Sequence, residues 1–409
     1  MIAWLLISFF VLLFLGVPIA MSLGLSAMGG ILFLGGGSTV TIAQRMFEGM
    51  NSFALLAIPL YTFAGFTMSK GGISKRLMDF CYSIVGHIYG GLAHVNVLSS
   101  MIFAGISGSA VADTAGVSGM FMPEMVRKGY SKNFTVAVTA ISSTIGIIIP
   151  PSIPMVVIAG ICGISTGKLF LGGIIPGILC GLAQMIVSYF LAKKEGVPKE
   201  PGHFTIGPVL HGLWESWPAL LMPIIIVGTI TMGIVSPTEA GVIAVVYGLF
   251  AGGIIYRELK WEDIKFAFAE TVRTSGRIFI VIGAAKLYTV MLTTAGFDKW
   301  VAKTMLGFST NPTVILIMIL LIFFIVTMFM ESIATLTLFM PILYPIALGV
   351  GIDPIVLSVL ITVVIGVGLV TPPVGMCIYV ACDLMDVTVG EVFPHIGAVL
   401  LQLPSSALR

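Results

Sequence analysis

The sequence predicts an all-α integral membrane protein made of two inverted-topology repeats, each containing a re-entrant helical hairpin and a Pro-broken helix. Three observations lead to this architecture: an apolar composition, a pattern of motifs that occurs twice, and an uneven distribution of basic residues. Of the 409 residues, 58% are hydrophobic and 9% are charged, against roughly 25% charged in soluble domains. At about 20 apolar residues per crossing, the chain can cross a bilayer on the order of ten times. This composition excludes a soluble globular enzyme.

The pattern of motifs recurs about 220 residues along the chain, in the same order. The repeated pairs are the Pro-interrupted stretches at Pro18 and Pro237, FMPEM (121–125) and FMPIL (339–343), and GIIIPPSIP (146–154) and GLVTPPVGM (368–376). The most polar stretch separates the two sets. We therefore assign residues 1–193 to a first repeat, 194–203 to a cytoplasmic linker and 204–409 to a second repeat.

Clusters of basic residues mark the cytoplasmic ends of membrane segments. They lie at 70–76, 127–132, 193–199 and 257–265, and no Lys or Arg occurs between Lys303 and Arg409. All clusters share one face if about 91–129 is a re-entrant hairpin. The same count makes about 313–350 a hairpin that enters from the opposite face, so the repeats are inverted. Inverted repeats with broken helices are typical of secondary transporters.

Each repeat continues into a Pro-broken helix, at about 132–165 and about 354–386. Adjacent prolines remove backbone donors and free carbonyls, which are tolerated at membrane depth only against protein, an ion or water. Charged amphipathic segments around 40–50, 73–88 and 258–273 are expected to form helices along the interface. A crossing is expected at about 275–294.

The hairpin turns carry neutral oxygens suited to a sodium ion. The alternative is that small residues only permit close helix packing and that the prolines only kink a helix. The first predicted sodium site combines Ser107, Gly108 and Ser109 with Gly146, Ile149 and Pro151. The second combines Ser332 and Thr335 with Gly366, Gly368, Thr371 and Pro373.

Two carboxylates, Asp113 and Glu331, lie near these turns, and ionisable groups at membrane depth suggest function. With Thr114 and Ser152 they are the candidate substrate-binding residues, although each carboxylate could instead cap its own hairpin helix. Lys286 lies deep in a predicted span, where it could extend to an interface or meet an acidic partner.

The sequence lacks the motifs of several classes of chemistry. The histidines and cysteines lack ligand spacing, so we expect no transition metal, and without a GxxxxGK[ST] motif we expect neither ATP hydrolysis nor an organic cofactor. The serines lack a His or Lys base at matching depth, so no catalytic residue is assigned and an enzyme is not expected.

The sequence resembles the large membrane subunit of the tripartite ATP-independent periplasmic (TRAP) transporters. The resemblance covers essentially the whole chain and is sharpest in GISGSAVADTAGVSGMFMPEM, GIIIPPSIPMVVIAGICGISTGKLFLGGIIPG and GLVTPPVGMCIYV. It implies a multi-pass subunit of the bacterial inner membrane that imports a solute with sodium, by an elevator movement of a transport domain against a scaffold. It also implies two partners, a small four-helix membrane subunit and a periplasmic substrate-binding protein. Family substrates are carboxylates, and the segment ADTAG is most similar to the sialic-acid branch of the family.

The resemblance also bears on individual residues. Ser107 and Ser109 with the carbonyls around Gly146, Ile149 and Pro151 match the family's first sodium site, and the region of Ser332, Thr335, Gly368, Thr371 and Pro373 matches the second. Asp113 and Ser152 fall where substrate contacts are expected. The family's final helix is expected to be truncated here, because about ten apolar residues are too few to cross. Two alternatives stay open: a proton-coupled carboxylate transporter using Asp113 or Glu331, and a non-translocating scaffold subunit.

Overall fold

The computed structural model describes residues 1–35, 38–197 and 204–400, and every regular element in these ranges is helical. The all-α prediction is therefore confirmed. The predicted linker lies largely outside the described residues, as does the chain end at 401–409, which holds part of the expected truncated helix.

The first half contains eleven α-helices and three short 3₁₀ or π-helical turns in the described residues. Its helices are α1 (Ile2–Phe14), α2 (Ile19–Leu34), α3 (Thr39–Met50), α4 (Ala57–Lys70), α5 (Ile73–Val85), α6 (Gly91–Ser107), α7 (Ala110–Asp113), α8 (Gly119–Arg127), α9 (Lys132–Ser143), α10 (Ile153–Cys162) and α11 (Thr166–Lys194). A 3₁₀ turn (Phe53–Leu56) precedes α4, a π-helical turn (Thr114–Ser118) joins α7 to α8, and a second 3₁₀ turn (Thr144–Ile147) follows α9.

The second half contains nine helices in the described residues. They are α12 (Ile206–Thr231), α13 (Pro237–Phe250), α14 (Trp261–Thr294), α15 (Phe297–Phe308), α16 (Pro312–Thr327), α17 (Ser332–Gly349), α18 (Pro354–Gly368), α19 (Met376–Met385) and α20 (Val389–Leu400). A π-helical turn (Ala251–Ile255) extends α13. Helix–break–helix units thus occur at 91–127, 132–162, 312–349 and 354–385; the inverted orientation of the halves stays a prediction.

Six helical segments of the described ranges are long and apolar enough to cross a membrane. They are Phe53–Lys70, Thr166–Lys194, Ile206–Thr231, Pro237–Ile255, Trp261–Thr294 and Ser332–Gly349. Large apolar side chains such as Ile175, Phe190 and Ile224 are exposed on them, as expected where lipid replaces water. These features fit a multi-pass membrane protein.

Helix α14 differs from the sequence prediction. The segment around 258–273 was expected to form its own interfacial helix, and this expectation is wrong. Residues 261–294 form one helix of 34 residues, about 51 Å long at 1.5 Å per residue. Its first turn carries Glu262 and Asp263, which favour a helix start, and no Pro follows to interrupt it.

The broken helices of the two halves pack on each other in the core. Helix α10 packs on α17, α11 on α18, and α9 on α19 and α20, while α14 contacts α2, α3, α4 and α17. The core therefore brings both hairpins and both breaks together, with α4 and α14 beside them.

Candidate functional site

The turn of the first hairpin, residues 107–110 (the first tip), touches the first helix break at 144–152 (the first break). Gly108 ends α6 in the left-handed region, at φ +64°, where a glycine avoids the strain of a Cβ. Its carbonyl accepts a hydrogen bond of 3.1 Å from Ile153 N. A Cβ at Gly108 would lie only 2.6 Å from the Pro151 carbonyl oxygen. Tip and break therefore meet backbone to backbone.

Further contacts hold this junction in place. Ser109 caps α7 by accepting a 3.4 Å hydrogen bond from Ala112 N, and a Cβ at Gly146 would lie 3.5 Å from the Ser109 carbonyl oxygen. Ser152 caps α10 and donates a 2.5 Å hydrogen bond to Ile147 O. The half-buried Ile149 side chain packs on Gly177 of α11. The structure thus brings the residues of the first predicted sodium site to one junction.

The donor set of this junction fits a sodium ion. It offers the Ser107 and Ser109 hydroxyls with backbone carbonyls, which are hard neutral oxygens, and a Cβ at Gly108 would fill the space between tip and break. Ser107 is buried, with 5% of its surface exposed.

The second hairpin turn, residues 328–332 (the second tip), meets the second helix break at 369–375 (the second break). Val374 N donates a 2.9 Å hydrogen bond to Met328 O, and a Cβ at Gly368 would lie 2.7 Å from the Thr327 Cβ. The break holds Thr371, whose hydroxyl donates to Val367 O at 2.7 Å. Both breaks contain a cis Pro-Pro peptide, at Pro150–Pro151 and Pro372–Pro373.

The remaining residues of the second predicted sodium site are placed less uniformly. Ser332 is half-buried at the start of α17, and the Thr335 hydroxyl, one turn further, donates to the Glu331 carbonyl at 3.0 Å. Pro373 is exposed, and its carbonyl accepts a hydrogen bond from the Tyr379 hydroxyl. A Cβ at Gly366 would lie 3.4 Å from the Thr144 Cβ of the first break, so Gly366 lies where the two halves meet.

A cavity of about 690 Å³ (the tip cavity) lies between the two tips and the helices α4 and α14. Ser107, Gly108 and Ser109 line it from the first tip, and Glu331 and Ser332 line it from the second. One cavity therefore touches both predicted ion sites.

Three of the four candidate substrate residues lie outside the cavity lining. Asp113, Thr114 and Ser152 are fully buried, and the Thr114 hydroxyl donates to Ala110 O at 2.9 Å. Glu331 alone of the four faces the cavity. This placement favours a structural role for Asp113, Thr114 and Ser152 and leaves Glu331 as a candidate for substrate contact.

The sequence prediction missed the polar residues on the opposite wall. They are Ser69 and Lys70 on α4 and Glu270, Thr274 and Arg277 on α14. Lys70 Nζ lies 4.7 Å from the centre of the Phe266 ring, and Glu270 pairs with Arg273 at 2.6 Å. Among the described residues, Arg277 takes part in no ion pair or hydrogen bond. Its position just inside an apolar span was the signal that could have identified it.

Several transport proteins are similar to the chain along most of its length. The model of the DctM component of the tripartite ATP-independent periplasmic transporters matches residues 6–403. The sialic acid TRAP transporter large permease SiaM of Vibrio cholerae is 36% identical over 92% of this chain and 88% of its own length. The C4-dicarboxylate TRAP transporter large permease DctM of Pseudomonas aeruginosa is 36% identical over 90% and 86%. The isethionate TRAP transporter permease DctMQ of Oleidesulfovibrio alaskensis is 37% identical over 97% of this chain, which spans 63% of that protein.

Two solved structures share the fold. The MtrF efflux pump of Neisseria gonorrhoeae superposes with a TM-score of 0.59 at 14% identity, over 88% of this chain and 82% of MtrF. The YdaH transporter of Alcanivorax borkumensis gives 0.58 at 14% identity, over 87% and 85%. The chain belongs to the DctM component family of the tripartite ATP-independent periplasmic transporters, and it is a multi-pass inner-membrane transport protein, not an enzyme.

Proposed function

We propose that this chain is the translocating subunit of a sodium-coupled importer of small organic acids. The observation that carries the proposal is the tip cavity, where the hydroxyl and carbonyl oxygens of the two tips, together with the carboxylate of Glu331, face a wall that holds Lys70 and Arg277. Neutral oxygens suit the cation, and the basic side chains suit the carboxylate. Sodium and an organic anion can then occupy neighbouring positions and offset each other's charge.

The names of the relatives support an acidic substrate without selecting one. They refer to isethionate, sialic acid, C4-dicarboxylates and 2,3-diketo-L-gulonate, all of which carry an acidic group. Their shared feature is one that Arg277 can bind through its planar guanidinium. Sialic acid is thus one member of the panel to be tested. Family membership supports a small four-helix membrane subunit and a periplasmic binding protein as partners.

We further propose an elevator movement in which the hairpins and broken helices move past α3, α4 and α14. Two features support it: both tips line a single cavity, and that cavity lies against long helices outside the hairpin–break units. The basic clusters assign the Lys70 end of α4 to the cytoplasmic side. The tip cavity therefore corresponds to a state that faces the cytoplasm.

The test is uptake into membrane vesicles that contain the chain with both partners. Succinate, isethionate and sialic acid are offered with and without an inward sodium gradient, and we expect uptake of at least one acid only with the gradient. Ser107→Ala and Ser332→Ala should each raise the sodium concentration for half-maximal uptake by about tenfold, since each removes a hydroxyl ligand. Ser83→Ala, on α5 and outside the cavity, is the matched control.

Other outcomes separate the alternatives. Uptake that survives collapse of the sodium gradient, follows a pH gradient and is lost in Glu331→Gln would support proton coupling. Wild-type uptake that neither serine variant changes would contradict the predicted ion sites. If vesicles that contain only the two partners take up the acid as well as vesicles that also contain this chain, the chain is a non-translocating scaffold subunit.

A further inference from the structure

A second, smaller cavity of about 200 Å³ (the seam cavity) lies between α3 and α14 on one side and α10 and α17 on the other. None of its residues was assigned to an ion site or to the tip cavity. Its polar lining residues are Glu48, Ser52, Lys286 and Thr337.

The seam cavity and the tip cavity are lined by successive turns of the same helices. On α14, residues four apart form one row that passes from the tip cavity to the seam cavity: Phe266, Glu270, Thr274, Ile278, Ile282 and Lys286. Such i, i+4 rows form the ridges along which helices pack. On α17 the lining passes from Ser332 to Thr337 and Pro341. The seam cavity therefore lies one to three turns beyond the tips, toward the C-terminal end of α14.

The two cavities share one arrangement of charge. In the tip cavity Glu270 pairs with Arg273 and Arg277 is left without an ion pair among the described residues. In the seam cavity Glu48 pairs with Arg45 at 2.7 Å. The hydrogen bond from Arg45 lowers the pKa of the Glu48 carboxyl, and the charge of Lys286 adds a smaller effect in the same direction. Lys286, half-buried, forms no ion pair or hydrogen bond in the described part of the chain. Each cavity thus contains a cation without an ion pair in the described ranges, near an Arg–Glu pair, and the tip cavity holds Lys70 and Glu331 in addition.

Gly49 explains how Lys286 fits at this seam. A Cβ at Gly49 would lie 2.6 Å from the Lys286 Cβ and 3.0 Å from its Cγ, so glycine allows α3 to pack directly on the lysine stem. The seam thereby accommodates a long cationic side chain in the lining of the cavity. Arg45 holds the Glu48 carboxylate of this cavity, so Lys286 is left with no ion pair within 4.0 Å in the described part of the chain, and an anion that enters the cavity can pair with it.

We propose that Lys286 is the basic contact for the transported carboxylate at the extracytoplasmic end of its path. This inference rests on the proposed function. The tips move from the level of Ile278 to the level of Lys286, about 12 Å along α14. During this movement the carboxylate of the substrate leaves Arg277 and binds Lys286. The lysine lies on the helix that stays fixed, so it meets the substrate only when the tips have reached the seam cavity.

The test compares Lys286→Gln, Lys286→Arg and the control Lys303→Gln, an exposed lysine on α15. Sodium-driven uptake of succinate, isethionate and sialic acid is measured in vesicles over a range of acid concentrations. Lys286→Gln should raise the half-saturating concentration about tenfold with the maximal rate within about twofold, because it removes a charge contact to the substrate. Lys286→Arg should restore the half-saturating concentration to within about threefold, and Lys303→Gln should match the wild type.

The results separate this inference from the proposed function. If the wild type takes up an acid and Lys286→Gln has the same half-saturating concentration, Lys286 is not a substrate contact and the proposed function stands. A fall in maximal rate or in the amount of folded protein at unchanged half-saturation assigns Lys286 a structural role beside Glu48 and overturns the inference. Failure of the wild type with every acid in a sodium gradient contradicts the proposed function itself.

Discussion

Replacing Gly108 by Ala should push the first tip and the first break apart. The added Cβ would lie 2.6 Å from the Pro151 carbonyl oxygen and 3.3 Å from Ile153 N. Both neighbours are backbone atoms, which cannot turn away as a flexible side chain can. To reach an ordinary contact of 3.4 Å, the carbonyl must move by about 0.8 Å.

The cost has two parts that a control can separate. Alanine in the left-handed region costs about 1–2 kcal/mol, and this part also applies to Gly163→Ala. Gly163 ends α10 at φ +67° and has nothing within 4 Å of its Cβ position. The displaced junction adds the loss of the hydrogen bond between Ile153 N and Gly108 O, about 1 kcal/mol. Gly108→Ala should therefore destabilise the protein by about 1 kcal/mol more than Gly163→Ala.

The functional measurement is the sodium concentration for half-maximal uptake in vesicles. Because the Pro151 carbonyl is a predicted sodium ligand, Gly108→Ala should raise that concentration by at least about tenfold, equivalent to about 1.4 kcal/mol. Gly163→Ala should leave it unchanged even where it lowers the thermal unfolding temperature. If both variants show the same sodium dependence, the junction of tip and break is not an ion site.

Two further predictions concern the cavity wall and the first break. Arg277→Gln should raise the half-saturating concentration of the transported acid by about tenfold, since it removes a cation from the tip cavity. The control Lys265→Gln, on the same helix but outside the cavity, should leave that concentration unchanged. Equal effects of the two variants would contradict a role of Arg277 in binding. Ser152→Ala should lower the free energy of unfolding by about 2–4 kcal/mol, because it removes a helix cap and the hydrogen bond to the buried Ile147 carbonyl. Ser165→Ala, which removes only the exposed cap of α11, should cost about 1 kcal/mol in the same denaturation experiment, and an equal loss in both would refute the reasoning.

The positions of the helix breaks could be predicted from the sequence because local chemistry decides them. Pro150 and Pro151 cannot continue α9 without losing hydrogen bonds, and Gly108 tolerates the backbone angle that ends α6. The contact between tip and break was also predictable, since freed carbonyls need a partner at membrane depth. These features depend on a few consecutive residues.

The cavity wall could not be predicted, because it depends on how distant helices pack. Lys70 reaches Phe266 only because α4 lies along α14, and no local pattern near Lys70 indicates this neighbour. The continuity of α14 was missed for a related reason. Its N-terminal part looks interfacial by charge, yet Arg273 and Glu270 pair along one face of the helix and the backbone continues unbroken.

Under the proposed function, the distribution of charge accounts for how a chain with so few ionisable residues would move an ion and an acid together. On the proposed elevator, Arg277 and Lys286 belong to α14, which stays in place, and each would contact the carboxylate at one end of the movement. The first tip offers only neutral oxygens from Ser107, Gly108 and Ser109, so it adds no fixed charge of its own to the moving part. A bound sodium ion then offsets the substrate carboxylate while both are between Arg277 and Lys286. Because an uncompensated charge in the hydrocarbon region is costly, neither ligand should move efficiently without the other, which is the physical basis of coupling.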